Sequence, residues 1–398
     1  MTPRVGPRLS ERAGYFGALP NARLRKDVMA KVNHADSDLD AGSFAARLAA
    51  ATGPVLVVTH AKPDGDALGS VLALVTALRR RARGDAAAAH GLLVPPVPAA
   101  LAARPGADTL AVWDDAAGAA GLPLAPADAA LIVVVDTGAW SQVGPLRGFL
   151  EPQRDRTLVL DHHLTGDIPA AGRWVDPAAA AACEMVAAVI DRLDPVATGP
   201  RSDLRSDLRA DPVIGEALFT GLASDTGWFR YSNVRPATFE LAARLLRGGV
   251  DHAALYQALE RSDRPEKLAL HARGLASVTY FAGGRAAAMR LGPSDFAVTG
   301  ARIEETEGLI DLPQRVGTVV VTALLTYPPA AGDDDALTGR LSLRSRHAAD
   351  PRDTVNVSEM AAGFGGGGHA RAAGATLTLP PDEAWARLAE ALDDPGGN

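Results

Sequence analysis

The sequence predicts an α/β protein: a doubly wound, mainly parallel sheet covered by helices, then a smaller α/β domain. Three continuous apolar runs carry the first part, VLVVT at 55–59, LIVVV at 131–135 and TLVL at 157–160. Strands with one wet face alternate apolar and polar residues, whereas unbroken apolar runs belong to sheets covered on both faces. Each run stops at side chains able to bind metals or move protons: His60, Asp136 and Asp161-His162-His163. Open α/β sheets bind ligands at that end of their strands. The second part rests on a change of character near residue 262, where strand-like pieces rich in small residues replace the helical pattern.

Taken in order, residues 1–40 are polar, basic then acidic, and are expected to form a disordered or loosely docked extension. A short helix at 41–51 leads into the first strand. The loop Pro63-Asp64-Gly65-Asp66 follows, then a helix over 66–82 that ends in Arg79-Arg80-Arg81, where the helix dipole favours cations. Short strands and Ala/Pro-rich loops extend to Leu124, before the second and third apolar runs. A helix is expected over 178–194, an exposed insertion with a tandem RSDLRSDL over 196–212, and helices over 213–229 and 236–249. These elements make a first domain of 41–255. Residues 256–275 read as a helical linker, and 276–392 as a second domain of strands around a hairpin loop near 328–339. That domain ends in a glycine run, a small-residue helix start and a final strand.

Composition narrows the function. The 398-residue chain is 47% hydrophobic and 22% charged, as in ordinary globular domains. A net charge of −7 argues against coating long nucleic acid, which needs many cations against phosphates. It leaves short or mononucleotide ligands open. A single cysteine, Cys183, excludes an intramolecular disulfide and a cysteine-built zinc site. The N-terminal residues lack the apolar core of a secretory signal, and no stretch approaches the ~18 apolar residues of a membrane span, so a cytoplasmic protein is expected.

His60, Asp64, Asp66, Asp136, Asp161, His162, His163 and Asp225 all fall at strand or helix ends. Mixed carboxylates and imidazoles suit Mn²⁺ best, with Mg²⁺, Fe²⁺ or Co²⁺ as substitutes. Two such ions a few ångströms apart activate a water and stabilise an in-line phosphoryl displacement. Alone, the first loop also fits a strand-to-helix turn with Asp66 as N-cap, and Ser224-Asp225-Thr226-Gly227 a simple helix end. Downstream, GGGGHARAAG at 365–374 offers backbone N–H groups for an anion. Arg344-Ser345-Arg346 at a strand end offers charge-assisted bonds.

THAKPDGDALGS, VVVDTG, LDHH and ASDTGWF in this order, followed by RSR and GGGGHARAAG, resemble the DHH phosphoesterase family over roughly residues 45–392. The branch they resemble holds bacterial oligoribonucleases (nanoRNases) and pAp phosphatases, including phosphodiesterases of cyclic-di-AMP. The resemblance implies a DHH catalytic domain, a DHH-associated substrate-binding domain, and an active site in the cleft between them with two divalent cations. By motif position, His60, Asp64 and Asp136 would hold one ion, and Asp66, Asp136, His162 and Asp225 the other. Asp161 would orient an imidazole, and His163 would contact the phosphate or move a proton. Arg344, Ser345, Gly366, Gly367, Gly368 and His369 would grip the nucleotide. The implied substrates are short oligonucleotides or dinucleotides and pAp, with no membrane and with a homodimer left open. A single-strand DNA exonuclease, or a nucleotide-binding module without catalysis, are the alternatives.

Overall fold

In the computed structural model, residues 38–193, 211–329, 338–346 and 355–393 are described. The expected extension up to residue 37, the RSDLRSDL repeat and most of the loop between the last expected strands lie outside them. The chain divides into two compact units, Met1–Leu259 and Glu260–Asn398.

The first unit carries six parallel strands: β1 (Val55–Ala61), β2 (Ala89–Val94), β3 (Ala111–Val112), β4 (Leu131–Val135), β5 (Thr157–Asp161) and β6 (Gly172–Val175). Their order is β3-β2-β1-β4-β5-β6. The chain leaves β1 towards β2 on one side and β4 towards β5 on the other. The crevice at the carboxyl ends of β1 and β4 is therefore the switch point of a doubly wound sheet, where ligands bind.

The apolar runs are explained by what covers them. Val55 and Val57 face a core shared with α1 (Ala41–Ala49), α2 (Gly65–Arg81), α3 (Ala182–Leu193), α4 (Pro212–Asp225) and α5 (Pro236–Arg247). Leu56 and Val58 face the opposite core, with Trp113, Trp140, Val143 and Leu146. Helix α2 lies between the sheet and α4, which is why nearly every residue in its first three turns is buried.

Two helices end short of expectation. Helix α3 starts at Ala182, not 178, because residues 176–181 turn on the Asp176 and Glu184 carboxylates, which accept from Ala178 and Ala180 N–H groups. Helix α4 stops at Asp225, and Gly227, Trp228 and Phe229 all take left-handed φ angles.

Helix α6 (His252–Glu260) closes the first unit, and α7 (Pro265–Ala276) belongs to the second, where Leu270 packs on Met289, Phe296 and Leu309. The strands β7 (Thr279–Phe281), β8 (Ala286–Leu291), β9 (Val321–Thr326), β10 (Gly339–Ser345), β11 (Gly367–His369) and β12 (Ala372–Leu377) form a mixed sheet ordered β11-β12-β10-β9-β8-β7. Helices α8 (Pro293–Thr299), α9 (Val357–Ala362) and α10 (Pro381–Asp393) complete the unit. The small-residue helix expected after the glycine run is instead a hairpin, β11 turning at Ala370-Arg371 into β12. The glycines permit it by close backbone approach: a Cβ on Gly366 would lie 2.1 Å from the Gly374 carbonyl oxygen. Helix propensity of the alanines yields to that pairing.

Candidate metal centre

The loop after β1 sets the first half of the site. Asp64, not Asp66, caps α2: its Oδ1 accepts from the Asp66 and Ala67 N–H groups, at 3.0 Å each. Asp66, in the first turn of α2, is fully buried. Its Oδ2 accepts from Ala182 N–H at 2.5 Å and its Oδ1 from Cys183 N–H at 2.9 Å. Those amides are free because α3 begins there, and the opening N–H groups of a helix have no partner inside it. Gly221 lets α4 approach: a Cβ there would lie 2.2 Å from Cys183 Sγ and 2.6 Å from Asp66 Oδ1. Asp225 thereby reaches the same centre from the end of α4.

Asp136 lies one residue beyond β4 with φ of 60°. Aspartate tolerates that region better than most residues, but it still stores about 1–3 kcal/mol. The turn places the carboxylate between two imidazoles. Oδ2 is 3.5 Å from His60 Nε2, and Oδ1 is 3.4 Å from His162 Nε2. On one side, His60 Nε2 is 3.9 Å from Asp64 Oδ1. On the other, His162 Nε2 is 3.2 Å from Asp225 Oδ2 and 3.9 Å from Asp66 Oδ2. His60 Nδ1 bonds the Ala61 carbonyl oxygen at 2.9 Å. A carbonyl only accepts, so Nδ1 holds the proton and Nε2 is left to coordinate.

Asp136 Oδ1 and His162 Nε2 are buried with no hydrogen-bond partner. Buried polar atoms in that state are costly, and a divalent cation accepted by both removes the cost. Donor atoms of His60, Asp64 and Asp136 lie within 4.8 Å of one another, as do those of Asp66, His162 and Asp225. The donor set therefore fits divalent ions in two adjoining clusters, with Asp136 touching both imidazoles. A third grouping of Asp136, His162 and His163 overlaps them.

Electrostatics agree with the geometry. Burial works against the charged form of His60, but the pull of Asp136 outweighs it and the pKa rises to about 9. For His162 burial is likewise outweighed by Asp136 and Asp225, and the pKa rises to about 11. Burial also opposes ionisation of Asp136, yet His162 and His60 hold its pKa below the usual carboxylate range. Asp66 is driven well up, by burial first and then by the charges of Asp136 and Asp225. Crowded carboxylates of this kind demand a compensating positive charge.

The remaining predicted residues divide. Asp161 orients His163, accepting at Oδ1 from its backbone N–H at 3.1 Å and lying 2.8 Å from its Nδ1. That bond raises the His163 pKa. In the second unit, Arg344 and Ser345 close β10, and the Ser345 hydroxyl lies 3.4 Å from the Ala370 carbonyl. The Gly366 N–H donates to the Ala361 carbonyl at 2.9 Å, while Gly367, Gly368 and His369 form β11. Sequence reasoning missed the Ala182 and Cys183 amides, since backbone donors carry no residue signature. The turn-forming pair Asp176-Pro177 ahead of them was the available mark.

Residues 54–221 match the model of the DHH family, N-terminal domain. The chain is 30% identical over 349 residues, 87% of its length and 91% of the relative's, to the bifunctional oligoribonuclease and PAP phosphatase NrnA of Thermus thermophilus. The chain belongs to the DHH family. A second DHH relative, the probable bifunctional oligoribonuclease and PAP phosphatase NrnA of Streptococcus mutans, is 25% identical over 81% of this chain and 88% of its own. Among solved structures, an exopolyphosphatase-related protein from Bacteroides fragilis superposes with a TM-score of 0.75 at 21% identity. It covers 89% of this chain and 95% of that one, and shares the fold. As a DHH-family member the protein is a metal-dependent hydrolase of phosphate esters. Among the described residues no helix is long and apolar enough to cross a membrane.

Proposed function

We propose that the protein hydrolyses very short oligonucleotides to 5′-mononucleotides and dephosphorylates pAp in the cytoplasm, with pApA and cyclic-di-AMP as further substrates. The observation that carries this is Asp136, whose two carboxylate oxygens each face a different imidazole, at 3.5 Å and 3.4 Å. One carboxylate serving two half-sites is what a pair of cations requires. His60, Asp64 and Asp136 would hold one ion, and Asp66, Asp136, His162 and Asp225 the other, Mn²⁺ being the ion of choice for such donors. When bound, the ions supply activation of a water and neutralisation of the phosphoryl charge.

The chain's own groups do the rest. The Ala182 and Cys183 amides keep the Asp66 carboxylate aimed, and Asp64 stays fixed by capping α2. His163, tied through Nδ1 to Asp161, keeps Nε2 turned away from that carboxylate, where a proton can pass to the departing oxygen. Arg344, Ser345 and the glycines 366–368 are assigned to nucleotide binding, and the net charge of −7 favours short substrates. The Thermus relative, a bifunctional oligoribonuclease and PAP phosphatase, and the Streptococcus one, named a probable enzyme of the same kind, support the substrate class. A substrate panel under Mn²⁺ tests the proposal: pAp and di- to tetranucleotides should be consumed. Degradation of long single-stranded DNA at comparable rates would instead favour an exonuclease.

A further inference from the structure

Asn233 belongs to none of the candidate ligands, yet its side chain joins the two backbone segments that build one half-site. Its Nδ2 donates to the Asp225 carbonyl at 3.0 Å and to the Ala180 carbonyl at 3.0 Å. The first bond fixes the backbone of a carboxylate 3.2 Å from His162. The second fixes the turn whose next amides, Ala182 and Cys183, hold Asp66. Asn233 is exposed as a residue, but its amide nitrogen is spent on these two carbonyls.

A second strap runs parallel. Glu184 Oε2 accepts from Ala180 N–H at 3.0 Å, and Glu184 Oε1 accepts from Arg235 Nη2 at 2.7 Å. Thr238 Oγ1 lies 3.4 Å from Glu184 Oε2. Both straps tie residues 180–184 to residues 225–238. Neither involves a side chain of the His60–Asp64 half-site.

We infer that Asn233 is a positioning residue that sets the spacing of Asp66 and Asp225, and so tunes the affinity of one cation and not the other. The inference rests on the two-ion reading above. Partners that orient metal ligands from behind are worth about 10–100-fold in metal affinity, and Asn233 acts one step further back, through the backbone.

The test is Mn²⁺ titration calorimetry on metal-stripped protein, with Asn233→Asp and Asn233→Ala beside wild type. Asp keeps the side-chain shape but sets an acceptor against two acceptors, so it should weaken more than Ala. One of two binding events should weaken about tenfold or more, with the other unchanged and the metal-free melting temperature of Asn233→Ala nearly so. Turnover should recover as Mn²⁺ is raised, with KM for pAp unmoved, a pattern that general loosening of the fold would not produce. Two events of wild-type affinity in both variants would overturn the role of Asn233. Fewer than two events in wild type would overturn the two-ion reading itself, and the inference with it.

Discussion

His60 and His162 carry protons in the metal-free protein well above the ordinary imidazole range, to about 9 and about 11. A histidine whose folded pKa exceeds its unfolded value near 6.5 contributes stability that is complete below 6.5 and lost as pH rises through the folded pKa. Asp66, with its pKa driven up, acts in the same direction, because its ionised form is disfavoured in the fold. Metal-free protein should therefore lose melting temperature between pH 6.5 and 9, read by circular dichroism. Cations compete with the same protons, so Mn²⁺ affinity should rise over that window and binding should release protons to the buffer. A metal-free stability that climbs with pH would contradict this charge arrangement. His163 answers separately: His163→Gln should cost about 10²–10⁴-fold in turnover, the usual worth of a positioned proton donor. The number of Mn²⁺ ions bound should not change, since Asp161 holds this ring through Nδ1 and neither proposed ligand set includes it.

The helices show why candidate ligands so far apart in sequence converge. Helix α4 crosses α2 at Gly221 with no room for a methyl group, between Cys183 Sγ and Asp66 Oδ1. Gly221→Ala should cost about 1–3 kcal/mol in denaturant unfolding, the usual penalty for overpacking. It should also weaken Mn²⁺ binding, because α4 carries Asp225 and must move as a unit. The strand-end candidates were legible in the sequence, since an unbroken apolar run stopping at His60, Asp136 or Asp161 states both the burial and the place where it ends. Asp225 was legible only alongside them. Less visible were features made of backbone: the amides of Ala182 and Cys183, the left-handed turn at Asp136, and the carbonyls joined by Asn233. At 365–374 the alanines pointed to a helix, whereas glycine packing against Gly374 and Ala373 makes a hairpin.

For the whole molecule, cation binding adds to folding stability by mass action. At free Mn²⁺ a hundredfold above Kd, each ion contributes about 2.7 kcal/mol, so Mn²⁺ should raise the melting temperature and EDTA should return it. The net charge of −7 gives the complementary expectation for substrates. With few phosphates contacted, KM for a dinucleotide should respond weakly to salt, unlike binding that releases many counterions.

The most direct test of the two-ion phosphoesterase is a product-resolved assay of pApA, an RNA trinucleotide and pAp under Mn²⁺, comparing wild type with Asp136→Asn. That variant keeps the side chain's shape and removes the charge facing both His60 and His162. Wild type should yield 5′-mononucleotides from the first two and free phosphate from pAp, while Asp136→Asn, folded by circular dichroism, should yield none. Wild-type protein that leaves all three substrates intact, or an Asp136→Asn protein that turns them over at the wild-type rate, would contradict the account.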